Sequence, residues 1–566
     1  MLQSTRNQAD HTVRVTLPNG LPKGQTATLT FNYDGRLTGQ EESPIYGIKF
    51  AAIQNDFAFL LYPSRWFPVS GYTSDRFTSK INVTAPAGFT VVGGGDFTHP
   101  SFPGDIAIFR GQPVKNSTAG LTTTLWFRGD KANMANAYGA STAEMVTYFT
   151  GMYGLAPSAN LTVMETVEGA PNGYAGPGMI FISPAAIGKD VNTSVLANQV
   201  ARQWWEIGLS PVNRNHLWLE NGMALYSEAL WTEHEKGATA MEQKMKDLSI
   251  TALTVDNVAL IQTSRLEDYS PEFWALSADK GAVVMQMLRS TMGDNKFFAS
   301  VKNFVQQSTW KSVTTEDFRK SAEAAMGEDL KYFFIQWVES NGAPEFKLEY
   351  TIFRLTGEGA GSGEHKAGFR VQGKISQDLD TFRMPVDLKI ETEGNPETKR
   401  VEVLGTSSEF SVDTFGKPKK ITIDPDNKVL RMSPQMRVDV AIRKGEQLVE
   451  VSEFADALKE YQRALDTQKN SSMAHYRVAQ VFFMQHNYQS AANEFREVNN
   501  GDLQPKWLEV WAHIYLGKIF DISGQRERAV NEYTQAQRTR DNTQGAQDEV
   551  AKLLKTPYKV ETKEAI

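Results

Sequence analysis

The stretch from Leu196 to Glu228 carries polar residues at spacings that could hold a metal ion or move a proton. Asn198, Gln199 and Arg202 lie close together, and eighteen residues separate Arg202 from Asn221. Their side chains limit this chemistry. An amide is a weak neutral donor to a metal, and a guanidinium stays protonated and has no lone pair to give. Gln199 has no titratable carboxylate, so it cannot take a proton from an attacking water.

Two helices are predicted to position these side chains, because apolar residues recur at helical spacing in both halves of the stretch. These residues are Leu196, Val200, Trp204 and Ile207, and then Leu217, Gly222, Leu225 and Ala229. A loop that contains Gly208, Ser210 and Pro211 is predicted to join the two helices.

The framework of this stretch resembles the zinc-binding core of the aminopeptidase-N family of gluzincins, whose motif is H-E-x-x-H-x18-E. The positions that agree with the family are Gln203, Trp204, Gly208, Trp218, Leu219, Gly222, Ala224, Tyr226 and Glu228. The resemblance covers about residues 60–432, and it implies a thermolysin-like, mostly helical catalytic domain.

The same resemblance places the family's chemical roles on residues that cannot perform them. The two zinc histidines become Asn198 and Arg202, the third ligand becomes Asn221, and the general base becomes Gln199. A catalytic zinc site needs three protein ligands, typically His and carboxylate, and an open position for water. We therefore expect no metal ligands, no catalytic residues and no cofactor, with zinc as the cofactor of the alternative in which the protein is an active enzyme.

Two further family positions have changed. Asn172 stands where the family has a glutamate that grips the free amino group of the peptide, and Ala278 stands where a tyrosine stabilises the oxyanion. Losing one such donor typically costs ~100- to 1000-fold in rate. Asn172, Arg202 and Glu228 remain candidates for lining a cleft.

Glu228 matches the family glutamate that orients a zinc histidine, an arrangement usual around metal ligands. Because Arg202 replaces that histidine, we expect a carboxylate–guanidinium pair between Arg202 and Glu228. The alternative is that Arg202 points to solvent. A relocated metal site is a further alternative, since His216 and Glu220 would share one helix face and could act with Glu206; we favour a surface pair instead.

The composition is that of an ordinary globular protein. The 566 residues predict three to five domains, and a net charge of -7 gives no electrostatic footprint for nucleic acid. No run of eighteen apolar residues predicts a transmembrane helix. The first residues lack the order of a signal peptide. The resemblance implies an exported, cell-envelope protein whose N-terminal part is missing here, and the compartment stays open.

The chain is predicted to be a multidomain α+β protein with four parts. Residues 1–127 are an N-terminal β domain, 128–344 the thermolysin-like domain, 345–435 a β-sandwich and 436–566 an α-solenoid. Strand-like runs in the first part are HTVRVTL, QTATLTFNYDG, FAFLLYP, KINVTAPAGFTVVGGGDF and DIAIFRG. GEGAGSGEHK at 357–366 predicts a mobile hairpin loop.

The last part repeats internally, in a pattern that resembles tetratricopeptide repeats. Ala457 and Tyr461 recur 34 residues later as Ala491 and Phe495, and again after a four-residue insertion as Ala529 and Tyr533. Gly445, Ala479 and Gly517 fill the preceding small-residue position. Three such units meet the usual minimum for a stable stack.

Together these patterns favour a catalytically inactive homologue that binds peptides or proteins, or acts as a scaffold, with the repeats and the cleft as its candidate binding surfaces. One alternative is an active zinc aminopeptidase with atypical ligands, which would contain zinc and be inhibited by chelators. Another is a non-catalytic subunit of an active paralogue, with the repeats as its docking surface.

Overall fold

The computed structural model describes residues 2–7, 12–37, 48–63, 66–70, 75–94, 100–118, 120–158, 160–355 and 368–560. The chain forms two compact units. The first comprises Met1–Met241, Ile261–Ser270 and Met292–Lys331, and the second comprises Glu242–Leu260, Pro271–Thr291 and Tyr332–Ile566. β-sheets at the N-terminal side and helices at the C-terminal side give a multidomain α+β protein, as predicted. The four domain boundaries stay predictions.

The described residues of the first unit form four sheets. A four-stranded antiparallel sheet has the order Ala51–Ile53, Phe57–Leu60, Ile106–Arg110, Phe89–Gly93. A five-stranded mixed sheet has the order Gly173–Gly176, Met179–Ile182, Thr162–Glu165, Leu121–Trp126, Val114–Thr118. Two-stranded sheets pair Gln3–Asn7 with Thr12–Thr16 and Ser210–Pro211 with Ser312–Val313.

One of the predicted strands is wrong. Residues 25–35, QTATLTFNYDG, form no strand in the part of the chain that the structure describes, and they are exposed. An alternating pattern becomes a strand only where a neighbouring strand takes its backbone hydrogen bonds. The predicted loop at 357–366 lies outside the described residues.

Two helices of the first unit, Ala135–Tyr153 and Thr193–Arg202, contact its mixed sheet. Other long helices of this unit are Trp218–Lys236, Asp294–Ser308 and Thr315–Met326. The helix Ala238–Ala252 begins in this unit, and the helix Lys331–Phe334 begins at its last residue.

Thr193–Arg202 and Trp218–Lys236 are the two helices predicted to carry the polar positions. The first begins at Asn192, whose side chain accepts the N–H of Val195 at 3.2 Å, and it continues as a π-helical turn, Gln203–Gly208. The apolar side of this helix is fully buried through Leu196, Val200 and Trp204. Burial of that side turns the polar side toward Trp218–Lys236, which packs against it.

The second unit contains two three-stranded antiparallel sheets and a series of helices. The sheets have the orders Lys347–Arg354, Phe369–Ser376, Ser407–Thr414 and Glu397–Leu404, Arg383–Thr392, Pro418–Ile423. Two helices precede them, Pro271–Trp274, which continues as the π-helical turn Ala275–Lys280, and Gly281–Met292.

Three helix pairs and a last helix form the C-terminal helical region. The pairs are Pro434–Glu450 with Phe454–Thr467, Ser472–Met484 with Tyr488–Asn500, and Trp507–Ile522 with Arg526–Thr539, and the last helix is Ala546–Lys555. A Cβ at Gly445 or Gly517 would overlap the ring of Tyr461 or Tyr533, respectively. The glycines therefore permit these helices to approach closely.

Candidate functional site

Arg202 lies at the centre of a buried polar cluster in the first unit, and its guanidinium is bonded on all three nitrogens. Nε donates to Asn198 Oδ1 at 3.2 Å, and Nη2 donates to Asn221 Oδ1 at 2.9 Å. Nη1 donates to Glu206 Oε2 at 2.8 Å and lies 3.5 Å from Glu220 Oε1. The three positions expected to match zinc ligands are therefore hydrogen-bonded to one another.

The electrostatics of the cluster keep Arg202 charged. Burial would lower the pKa of Arg202, but the carboxylates of Glu206 and Glu220 outweigh it, so that the pKa is raised. Burial raises the pKa of Glu220 well above its ordinary value, and the neighbouring carboxylate of Glu206 raises it further, while Arg202 opposes both.

The predicted direct pair between Arg202 and Glu228 is wrong. Glu206 and Glu220 are the carboxylates that meet the guanidinium, whereas Glu228 Oε2 accepts the Nδ2–H of Asn198 at 3.2 Å. Arg202 and Glu228 do not pair directly because Asn198 lies between them and is hydrogen-bonded to both side chains. The alternative that Arg202 points to solvent is also wrong, since Arg202 is 9% exposed.

Gln199, at the expected position of the general base, is buried against the edge strand Gly173–Gly176. Its Nε2 donates to Asn198 Oδ1 at 3.1 Å, and its Oε1 has no hydrogen-bond partner among the described residues. A Cβ at Gly173 would lie 2.7 Å from Gln199 Cγ, so the glycine leaves the room that this side chain fills. The amide can donate and accept hydrogen bonds here, but it cannot act as a base.

Asn172 is exposed at the end of the same hairpin and is held by Ser183. The Ser183 hydroxyl donates to Asn172 Oδ1 at 2.8 Å, and the Ser183 N–H donates to the Asn172 carbonyl at 3.3 Å. These two bonds tie the side chain to the neighbouring strand. A neutral amide in this arrangement has no charge with which to hold an ammonium group.

The alternative metal site at His216, Glu220 and Glu206 is not assembled. His216 Nδ1 lies 2.9 Å from Thr315 Oγ1 and accepts the Thr315 N–H at 3.2 Å, while both carboxylates meet Arg202. Over the described ranges of the chain, no group of three or more His, Cys, Asp or Glu side chains could hold a metal ion.

Ala278 lies in the second unit, buried in the π-helical turn Ala275–Lys280. Its methyl group has no polar hydrogen and cannot donate a hydrogen bond to an oxyanion. Two residues later, burial lowers the pKa of Lys280 to about 8, and Asp256 only partly opposes that shift.

Two charged residues beside the Arg202 cluster carried no sequence signal. Arg76 donates from Nε to Ser210 Oγ at 3.1 Å and from Nη1 to the Ile207 carbonyl at 3.0 Å. Burial lowers the pKa of Arg76 to about 10, although the charge of Glu220 opposes this. Asp105 is 3% exposed, and burial, together with the charge of Glu206, raises its pKa well above 3.8.

The zinc ion implied by the resemblance does not fit these residues. Zinc would have to replace a guanidinium whose positive charge already points at the oxygens of Asn198 and Asn221, and neither amide is a strong donor to zinc. A second cation beside the guanidinium of Arg202 would be repelled by its positive charge. It would also compete with Arg202 for the same four oxygens.

Comparison with known proteins places this site in a family. Residues 180–337 match the peptidase family M1 domain. Aminopeptidase M1 of Arabidopsis thaliana is 24% identical over 261 residues, which is 42% of this chain and 29% of that protein. Aminopeptidase 2 of Candida albicans is 24% identical over 38% of this chain and 24% of its own length.

Legionella pneumophila aminopeptidase A, solved in complex with aspartic acid, matches 80% of this chain and 63% of its own chain, with 13% identity and a TM-score of 0.48. The chain spans less than a third of the length of the two curated relatives. The resemblance seen in the sequence is confirmed: residues 180–337 match the peptidase family M1 domain, and the chain is similar to aminopeptidases that carry this domain.

Proposed function

We propose that this protein is a catalytically inactive member of its family that binds protein segments. The observation that carries the proposal is the set of bonds from Arg202 to Asn198 and Asn221. These bonds join the three positions at which the resemblance expects zinc ligands, and they fill the space with a permanent organic cation.

The chemistry of peptide hydrolysis needs more than a cation. A guanidinium can polarise a carbonyl oxygen, but it cannot lower the pKa of a bound water as zinc does. Gln199 cannot accept the proton of that water. Without an activated nucleophile, binding of a peptide would leave its amide bond intact.

The helical region supports the binding half of the proposal. Its helix pairs, with small residues at Gly445, Ala479 and Gly517 against aromatic rings, have the features of a tetratricopeptide stack. Stacks of this kind present extended concave surfaces to their partners. We assign protein binding to this region. In the described ranges, every helix is too short or too polar to span a bilayer.

The first test measures metal content and turnover on the purified full chain. We expect substoichiometric zinc by elemental analysis. We also expect no phenanthroline-sensitive hydrolysis of aminoacyl-methylcoumarin reporter substrates. The matched control restores the family residues as N198H/Q199E/R202H/N221E, with circular dichroism as the check on folding. Zinc in the restored variant alone supports the proposal, whereas stoichiometric zinc and chelator-sensitive turnover in the unmodified chain would contradict it.

The second test addresses binding. The full chain, immobilised, is exposed to extract of its native host, and bound proteins are compared with those retained by a chain lacking residues 436–566. Partners that depend on the helical region support the binding role. An identical set of partners with and without these residues would remove the helical region from the proposal.

A further inference from the structure

Residues Thr556–Val560, here called the Tyr558 segment, follow the last helix and return onto the helical region. The Tyr558 ring lies 6.4 Å from the ring of Phe483. Lys518 Nζ lies 5.1 Å from the centre of the same ring. The backbone N–H of Tyr558 donates to Asp521 Oδ2 at 2.8 Å. One side chain and one backbone group thus join this segment to two different helix pairs.

The residues that receive Tyr558 belong to one layer of the helical region. The first helices of the three pairs and the last helix pack side by side, in the order Pro434–Glu450, Ser472–Met484, Trp507–Ile522 and Ala546–Lys555. Phe483 lies on the second of these helices, and Lys518 and Asp521 lie on the third. Stacks of helix pairs present extended concave surfaces to their partners.

Phe483, Lys518 and Asp521 form the surface that receives Tyr558, here called the seat. Asp521 provides its polar half. Its side chain is fully buried and accepts hydrogen bonds from Arg526 at 3.0 Å, from the Tyr533 hydroxyl at 2.8 Å and from the Tyr558 N–H. A hydrogen bond from a backbone N–H to a carboxylate is charge-assisted and stronger than a neutral one. Because every peptide has backbone N–H groups, this contact recognises an extended backbone and does not select for a particular side chain.

Phe483 and Lys518 provide the aromatic half. An aromatic ring between a phenylalanine and a lysine ammonium gains both ring–ring and cation–π attraction. Lys518 is held for this contact by Glu549, 2.7 Å away. The seat therefore has the chemistry to select an extended peptide that presents a tyrosine.

The Tyr558 segment is held lightly outside this seat. Pro557 and Lys559 are exposed, and Val560 is 40% exposed. A segment with few buried contacts opens at low cost in free energy.

We propose that the Tyr558 segment is an internal occupant of a peptide-binding groove, and that a partner segment with a tyrosine binds by displacing it. This inference rests on the protein-binding role proposed above for the helical region and adds its recognition residue and its regulation. A tethered segment competes at an effective concentration of about a millimolar. An internal segment with an intrinsic dissociation constant of about 100 µM would weaken an external ligand about tenfold.

The test uses fluorescein-labelled peptides with the sequence of residues 556–560, Thr-Pro-Tyr-Lys-Val, and a matched peptide in which alanine replaces the tyrosine. Binding to the full chain is measured by fluorescence polarisation for the unmodified protein, for Tyr558→Ala and, as matched control, for Lys559→Ala. We expect Tyr558→Ala to bind the tyrosine peptide about tenfold more tightly than the other two proteins. The alanine peptide should bind to none of them.

A second measurement does not depend on a variant folding. In the unmodified chain, saturating tyrosine peptide should speed hydrogen exchange of the Tyr558 amide, because it loses its bond to Asp521. Unchanged exchange, or equal peptide affinity in the three proteins, overturns the inference and identifies the segment as a fixed part of the stack. Host partners that bind the unmodified chain and Tyr558→Ala equally through the helical region would leave the binding role standing and remove only the internal competitor.

Discussion

Arg202 Nη2 and Asn221 Oδ1 lie 2.9 Å apart and join two helices across the position where the resemblance expects a metal ion. The bond holds together residues that both lack the chemistry of their counterparts. Because the same guanidinium also meets Asn198 and Glu206, the positive charge at this position belongs to a side chain of the protein.

Removal of Arg202 should destabilise the first unit. Arg202→Ala removes the guanidinium that contacts both Glu206 and Glu220, and breaking a buried pair by removing one partner costs roughly 3–5 kcal/mol. Urea denaturation followed by hydrogen exchange in the first unit measures the loss. Adding Glu220→Gln should restore part of it. The exposed pair of Lys320 and Glu316 supplies the control, since Lys320→Ala should change stability by under about 1 kcal/mol; an equal loss in both would contradict the buried role of Arg202.

Asp105 should make the first unit less stable as pH rises. Its pKa is raised well above 3.8 in the folded protein, so the folded state holds a proton that the unfolded chain has lost. Stability is therefore full below about 3.8 and falls as pH climbs toward the folded pKa. Asp105→Asn, which cannot ionise, should gain stability relative to the unmodified chain as pH rises from 4 to 7. The exposed Asp130→Asn serves as control, and a gain independent of pH would count against this explanation.

Lys280 predicts the opposite dependence in the second unit. Its pKa of about 8 lies below the ordinary 10.5, so the unfolded chain binds the proton more tightly and stability rises with pH between these values. A shift of this size corresponds to roughly 3 kcal/mol at neutral pH. Lys280→Met should stabilise the second unit at pH 7 and much less at pH 10, as measured by denaturation. Exposed Lys389→Met should do neither, and a pH-independent effect of Lys280→Met would refute the burial cost.

The fit of small residues under aromatic rings can be tested in the helical region. An alanine Cβ at Gly517 would overlap the Tyr533 ring, whose hydroxyl is fixed by Asp521 at 2.8 Å. Gly517→Ala should destabilise this region by about 1–3 kcal/mol through overpacking, despite the better helix propensity of alanine. The second pair combines Ala479 with Phe495, which suggests that a ring without a hydroxyl can shift.

The double variant Gly517→Ala/Tyr533→Phe tests that idea. Thermal unfolding of the helical region should recover most of the loss, because the ring is no longer held by Asp521. If the double variant is as unstable as Gly517→Ala alone, the hydroxyl does not determine the close approach.

The pattern of the sequence predicted the helices of the site, but not which carboxylates meet Arg202. Glu206 lies four residues after Arg202, a spacing at which helical ion pairs form, so the sequence contains a local signal for this partner. The prediction of Glu228 rests on the resemblance alone. No local signal exists for Glu220 or for Arg76, because each reaches the cluster from another part of the chain. The strand predicted at 25–35 is wrong for a related reason. Alternating apolar and polar residues specify which face of a strand would be buried, but not which neighbouring strand would pair with it.

By itself the sequence determined the resemblance to the family framework, the residue types at the positions where that resemblance expects chemistry, and the periodic small and aromatic residues of the helical region. These are properties of residue type and spacing, which the chain carries before it folds. Only the tertiary structure decided that Arg202 bonds Asn198 and Asn221, that Glu228 is reached through Asn198, and that Tyr558 lies against Phe483 and Asp521. Such pairings depend on how helices cross and on which polar groups burial forces together, and linear spacing encodes neither.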